Sequence, residues 1–305
     1  MDKILLVVTS YNRPLAFENC LKSLRKMAGH IDVLIIDDHS PKPEIAEIAA
    51  KSGYEFILGP GGKGRHGGLY QNLQLGYETA IARGYDYMAT VQDDMQMVRP
   101  FDAAILTEYA GVFARDPDIA MIDNRFSRSG FKATYSSEIG AYLYENSYTY
   151  SDVGFFNLAR LQAKNWSFVQ FEHQFVAGEK FLKQHAAEKK FKKVAAFTPV
   201  VMHVPLPQLI RNNIRIPRFS RLFRQLYTYD DMTPADIARM DNRDPSTPQI
   251  SANFCAFPTS MPLIGGCCQA SRIPRFSKRN HTSKVIARRS YRRCPKPIPK
   301  AISFK

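Results

Sequence analysis

Long apolar runs are missing from this 305-residue chain: no stretch of about 18 consecutive apolar residues occurs, so no transmembrane helix is expected. Cysteine is scarce. Cys20, Cys255, Cys267, Cys268 and Cys294 fit neither a metal-ligand spacing nor a pairing framework, a usage that suits a reducing compartment such as the cytoplasm. No internal repeat and no known nucleic-acid-binding module can be read. Met1–Thr9 resembles a short signal core but runs straight into a turn without a small-residue cleavage site, so a first strand is expected there rather than a leader. Acids also run short toward the end. Residues 1–205 hold 23 Lys/Arg and 23 Asp/Glu, whereas residues 206–305 hold 19 Lys/Arg against five Asp. From Ser271 to Lys305 there are 12 basic residues and no acid. The whole net charge of +14 therefore belongs to the last hundred residues, and the chain reads as a neutral body with a cationic tail.

What is present is an alternation. Lys3–Thr9 is a continuous apolar run, and after Pro14 the residues Leu15, Leu21 and Leu24 recur at helical spacing through Met27. Ile31–Ile36, Tyr54–Leu58 and Tyr87–Val91 repeat the strand pattern, with helical stretches over Pro41–Ser52 and Leu69–Arg83 between them. Strands alternating with helices predict an α/β fold built on a parallel, doubly wound sheet. Further along, the pattern predicts a helix over Pro100–Arg115 and a short strand over Ile119–Ile122. Loops or a hairpin are expected over Asn124–Tyr150, then a strand and helix over Asp152–Lys164. A helix opens at Ala177-Gly178-Glu179 with Glu179 in its first turn, and a single strand covers Ala195–His203. Beyond Pro205 the regular pattern breaks down. Arg211, Arg215, Arg218, Arg221 and Arg224 recur among apolar residues, as in a basic amphipathic helix interrupted by Pro217. The expected organisation is a domain over residues 1–205, a basic helical or irregular extension over 206–270, and a poorly ordered cationic tail over 271–305. The tail suits an anionic membrane surface, where each Lys or Arg contributes about 1 kcal/mol.

The chain is organised around Tyr87–Val98, where a buried-strand pattern ends in Asp93 and Asp94. Open α/β sheets bind their ligands at the carboxyl ends of strands. Carboxylates placed there need a partner, and a divalent cation serves, although an acidic turn would read the same way. Before this strand lies Gly59–Gly68, six glycines in ten residues with Lys63 and Arg65 among them, leading into a helix. Backbone N–H groups and positive charge at a helix start favour an anion. The loop matches neither the Walker pattern nor the dinucleotide fingerprint, and a plain surface loop is the alternative.

Taken together, these segments resemble a family 2 glycosyltransferase with the GT-A fold. The likeness rests on Thr9-Ser10-Tyr11-Asn12-Arg13-Pro14 after the first strand and Asp37-Asp38-His39-Ser40 after the second. Gly67-Gly68-Leu69-Tyr70-Gln71-Asn72 and Gln92-Asp93-Asp94 complete it, and the match spans about residues 1–205. The resemblance implies a Rossmann-like, mostly parallel sheet with helices on both faces. It also implies a nucleotide-diphosphate sugar as donor and Mg2+ or Mn2+ as cofactor. The nucleoside would lie against Thr9, Tyr11, Arg13 and Asp38, with Lys63 or Arg65 facing the diphosphate. Asp94 would ligate the metal, Asp93 would lie nearer the ribose, and His203 is a further candidate ligand or else a structural histidine. Glu179 and Asp152 are the candidates for the base that deprotonates the acceptor; a Glu near a helix start also serves the helix dipole. One departure stands out: the family's motif commonly begins with an acid, and here that place holds Gln92.

The implied activity is inverting transfer to a glycan or lipid-linked hydroxyl, in surface polysaccharide or glycoconjugate synthesis, by a cytoplasmic enzyme peripheral to the membrane. A sugar nucleotidyltransferase has a similar sheet, but carries its Gly-rich Arg/Lys loop directly after the first strand, where Thr9–Pro14 stands here. A non-catalytic protein using the basic tail to bind membrane or nucleic acid is the third reading; the neutral body argues against nucleic acid.

Overall fold

Seven buried residues in a row, Ile4–Ser10 (β1), are covered on both faces only at the centre of a sheet with helices on each side, and that is where β1 lies. The computed structural model describes residues 2–61, 68–126, 132–169, 175–204 and 228–246, with backbone alone for 175–179. The chain divides into two units, Met1–Pro262 and Leu263–Lys305, and every described residue lies in the first. The cationic tail, the arginine series from Arg211 to Arg224, Lys63 and Arg65 fall outside the described residues.

After β1 come α1 (Pro14–Met27), β2 (Asp32–Asp37), α2 (Glu44–Ser52), β3 (Glu55–Leu58), α3 (Leu69–Ala82) and β4 (Tyr87–Gln92). A three-residue strand β5 (Met95–Met97) follows, then α4 (Ala103–Arg115), β6 (Ile119–Asp123), β7 (Ala133–Ser136) and β8 (Ala141–Tyr148). The remaining elements are β9 (Gly154–Asn157), α5 (Leu158–Ala163), α6 (Phe175–Glu188), β10 (Lys192–Ala196), β11 (Val201–His203) and α7 (Pro234–Asp241). Nine strands form one sheet in the order β3-β2-β1-β4-β9-β6-β10-β8-β7, and β11 pairs with β5 in a second, small one. In the large sheet only β9 and β8 run against the common direction. Alternate residues of β1 feed opposite core layers: Leu6 and Val8 pack with α1, α2 and α4, while Leu5 and Val7 pack with α3, α5 and α6.

The structure differs from the sequence reading in three places. The run Ala195–His203 is two strands, because the chain leaves the large sheet after Ala196 and re-forms pairs with β5 from Val201. Helix α6 begins at Phe175, so Glu179 lies in its second turn rather than its first. Residues 228–246 contain a helix that hydrophobic periodicity did not reveal. Thr233 caps α7 reciprocally with Asp236, and Pro234 occupies its first turn.

That late segment is strapped to the body. Met232 and Met240 pack with Val98, Phe126 and Met202. Gln96 on β5 holds the Tyr229 backbone from both sides, its Nε2 donating to the carbonyl at 2.7 Å and its Oε1 accepting the N–H at 2.9 Å. Buried Arg99 donates through both terminal nitrogens to Asp241, at 2.7 and 3.1 Å. Asp241→Ala leaves that guanidinium buried with its main acceptor gone. It should lower stability by about 1–3 kcal/mol, the cost of an unsatisfied charged group at a half-open site. Urea denaturation reads this directly, and an unchanged midpoint would show that the strap is not held by the ion pair.

Candidate active site

The carboxyl ends of β1, β2 and β4 open side by side, because β1 pairs in parallel with both neighbours. A cleft at this edge is lined by Thr9, Ser10, Tyr11, Arg13, Asp38, Leu69, Asn72, Gln92, Asp93 and Asp152. Of the residues expected from sequence, Thr9, Tyr11, Arg13, Asp38, Asp93 and Asp152 therefore meet at one place. The sequence reading missed Ser10, Leu69 and Asn72 as lining residues and marked Gln92 only as an irregularity. No residue type singles these out; their place in the alternation of strands and helices does.

Two non-glycine residues with positive φ shape the rim, Asn12 at 58° and His39 at 54°, one after β1 and one after β2. Asparagine tolerates this region better than most residues, and strain of this kind collects at functional sites. The two loops are tied together, since the Asn12 N–H donates to Ser40 Oγ at 2.8 Å. The paired acids of the second loop divide the work. Asp37 accepts from Ser10 Oγ, Ser40 Oγ and the Ser40 N–H, so it holds the loop. Asp38 lines the cleft and accepts the Gly68 N–H at 3.1 Å. A Cβ on Gly68 would lie 2.0 Å from Asp38 Oδ1, so a larger residue at the start of α3 would force this carboxylate to move.

At the end of β4, Asp93 accepts the Tyr11 N–H at 2.9 Å and Arg13 Nη1 at 3.0 Å. The same Arg13 nitrogen donates to Asp94 Oδ2 at 2.6 Å. Burial pushes the Asp93 carboxyl up to about 7; Arg13 opposes the shift and the charge of Asp94 adds to it. The turn after β4 and the pairing of β5 with β11 bring His203 opposite Met95, and the Val204 N–H donates to the Asp94 carbonyl at 2.9 Å. His203 Nδ1 consequently lies 3.8 Å from Asp94 Oδ1. That separation is too long for a hydrogen bond and within reach of two donors on one ion. Among the described residues no cluster of three or more such side chains occurs. The carboxylate oxygen is a donor that Mg2+ and Mn2+ both take while keeping other positions for phosphate oxygens and water, and the imidazole is a softer donor that Mn2+ accepts more readily than Mg2+.

In the same cleft Asp152 accepts Gln92 Nε2 at 2.5 Å. The backbone of Glu179 lies in α6, and its side chain is outside the described residues. Behind Asp152 lies an ion cluster. Arg125 donates to Asp123 through Nε and Nη2, both at 2.8 Å, and Lys193 Nζ is 3.6 Å from the same carboxylate. Burial alone would raise the Asp123 pKa; Arg125 and Lys193 overcome it and hold the carboxyl down at about 2. A folded pKa below the unfolded value gives stability that is present above about pH 4 and lost as pH falls toward 2, on the order of 2 kcal/mol. Asp123→Asn should remove that part of the acid sensitivity, so the urea midpoint of the variant should fall less between pH 5 and pH 2.5. Equal falls in both proteins would place the acid sensitivity elsewhere.

A ligand cleft at the carboxyl edge of a mostly parallel sheet, with acids on one strand end and a positive side chain between them, defines an α/β enzyme site. The chain matches the family model for glycosyl transferase family 2 over residues 5–168 and belongs to that family. The GT-A-type α/β architecture expected from the sequence is the one observed. Similar solved structures include S. aureus TarS, at 14% identity and a TM-score of 0.45, covering 66% of this chain and 36% of that one. Glucosyl-3-phosphoglycerate synthase from Mycobacterium tuberculosis, in complex with Mn2+, UDP and glucosyl-3-phosphoglycerate, is 12% identical with a TM-score of 0.40, covering 68% and 73%. Mannosyltransferase PcManGT from Pyrobaculum calidifontis, in complex with GDP-Man and Mn2+, is 10% identical with a TM-score of 0.42, covering 67% and 57%. The chain spans little more than a third of the length of TarS. No curated protein sequence matches it. Among the described residues no helix is long and apolar enough to cross a membrane.

Proposed function

We propose that the chain transfers a sugar from a nucleoside-diphosphate donor to the hydroxyl of a glycan or lipid-linked acceptor, with inversion and with a divalent cation. The observation that carries this reading is the convergence of Thr9, Tyr11, Arg13, Asp38 and Asp93 with Asp152 around one cleft. Acceptors and donors of hydrogen bonds for a nucleoside lie on the β1 and β2 side, and the acids for a charged leaving group lie at the end of β4. Asp94 and His203 would hold Mg2+ or Mn2+. The bound cation supplies positive charge that stabilises the departing diphosphate.

The protein's own groups do the rest. Arg13 bridges Asp93 and Asp94 and keeps two neighbouring carboxylates from repelling each other. Asp38 offers acceptor oxygens at the β2 end. Asp152 lines the same cleft, where a carboxylate can take the proton of an attacking hydroxyl. Displacement from the face opposite the leaving group inverts the anomeric centre.

A panel of UDP-N-acetylglucosamine, UDP-glucose and GDP-mannose with MnCl2 tests the reading through release of the nucleoside diphosphate. Donor-dependent release that EDTA abolishes is the expected result. Release of pyrophosphate from a nucleoside triphosphate and a sugar phosphate would instead mark a sugar nucleotidyltransferase.

A further inference from the structure

Position 92 is where the acidic motif loses its first acid, and the structure gives that loss a use. Thr90 and Gln92 are two apart on β4 and so share a face of the strand. Both are engaged with one residue. Thr90 Oγ1 donates to the Asp152 carbonyl at 3.0 Å, and accepts the Gly154 N–H at 3.1 Å. Gln92 Nε2 donates to Asp152 Oδ2 at 2.5 Å. A carboxylate only accepts, so the amide must turn its nitrogen toward Asp152.

The flanking chain is fixed as well. Ser151 Oγ accepts Arg125 Nη2 at 2.6 Å, and Arg125 is itself locked to Asp123. On the other side Gly154 lets β9 close against β6: a Cβ there would meet the Met121 methyl at 2.4 Å and the Ile122 carbonyl at 2.8 Å. The backbone of Asp152 therefore has one position, and the remaining freedom is the torsion of its side chain. Gln92 removes that freedom, and both residues line the cleft. An acid at position 92 would set two carboxylates at this separation, and both could not stay ionised. Glutamine is nearly the same size, lacks the charge and supplies a donor.

We infer that Gln92 is a positioning residue: it holds the Asp152 carboxylate in one orientation, facing the acceptor side of the cleft. The inference rests on Asp152 acting as the base in the proposed transfer. It goes beyond that assignment by explaining why this chain carries glutamine where an acid is usual.

A double-mutant cycle tests it, with kcat and KM read from release of UDP or GDP, using whichever of the three panel donors turns over best. Gln92→Ala is expected to lower kcat by about 10- to 100-fold with KM for the donor within about threefold, the signature of a group that acts on the reacting centre rather than on donor binding. Gln92→Glu keeps the size but not the donor, and should do no better than alanine. In an Asp152→Asn background the alanine change should cost less than about threefold, because no base is left to orient. An equal loss in both backgrounds would overturn the inference, since a purely structural role is insensitive to residue 152. Asp152→Asn with wild-type kcat would remove the base assignment, and the inference with it. Loss confined to Gln92→Ala and seen in KM alone would assign Gln92 to the donor instead.

Discussion

Asp94→Ala is expected to abolish sugar transfer, by at least about 10²-fold, together with the metal-dependent part of nucleoside-diphosphate binding. Asp94 is the acid that meets both a positive side chain and a candidate metal donor, with Arg13 at 2.6 Å on one oxygen and His203 at 3.8 Å from the other. Its placement comes from the short β5–β11 pair, which puts the Asp94 carbonyl under the Val204 N–H and His203 across from Met95. Asp94→Asn keeps the shape and removes the charge, so it should be nearly as inactive. Asp93→Ala should differ in kind. It removes an acceptor from the Tyr11 N–H and from Arg13, which weakens donor binding while leaving some turnover. Calorimetric titration of UDP or GDP with and without MnCl2 separates the two effects. Near-normal rates for Asp94→Asn, or a wild type indifferent to EDTA, would remove the metal assignment.

Much of this was legible in the sequence, and the reasons are local. The strands β1, β2 and β4 are mostly apolar runs ending in polar residues, which is the signature of a strand buried on both faces that stops at a ligand edge. Those same endings, taken with the family resemblance, name Thr9, Tyr11, Arg13, Asp38 and Asp93, and these five line one cleft. The place of Asp152 beside them is not set by local pattern. The pairing of β9 between β4 and β6, which brings Asp152 to the cleft, is a long-range antiparallel contact that four residues of sequence cannot announce. Gln92 looked like a defect of the motif because its meaning lies in a residue 60 positions away. The break between β10 and β11 was hidden for a similar reason: an apolar run reads alike whether it stays in one sheet or crosses to another. Helix α7 is the opposite case. Thr233-Pro234-Ala235-Asp236 is a complete start signal written in the sequence, passed over because it opens a helix of only eight residues beyond the point where the regular alternation stops.

Asp152→Asn is the second substitution with a large expected effect, and it decides which acid serves the acceptor. In a single displacement the acceptor hydroxyl attacks as the diphosphate leaves, and its proton passes to a carboxylate within hydrogen-bond reach. Asp152 lines the same cleft as Asp93 and is fixed through its carbonyl by Thr90 and through its carboxylate by Gln92. The amide of asparagine keeps the size and can still hydrogen-bond, but it cannot accept the proton. The expected loss is therefore in kcat, about 10²- to 10⁴-fold, with donor affinity little changed. Glu179→Gln is the comparison, because Glu179 stands in the second turn of α6 and is the other candidate from the sequence. It should retain most of its turnover if Asp152 is the base. A Glu179→Gln protein that binds donor yet is inactive, beside an active Asp152→Asn, would transfer the role to Glu179 and leave Asp152 as a structural anchor of β9.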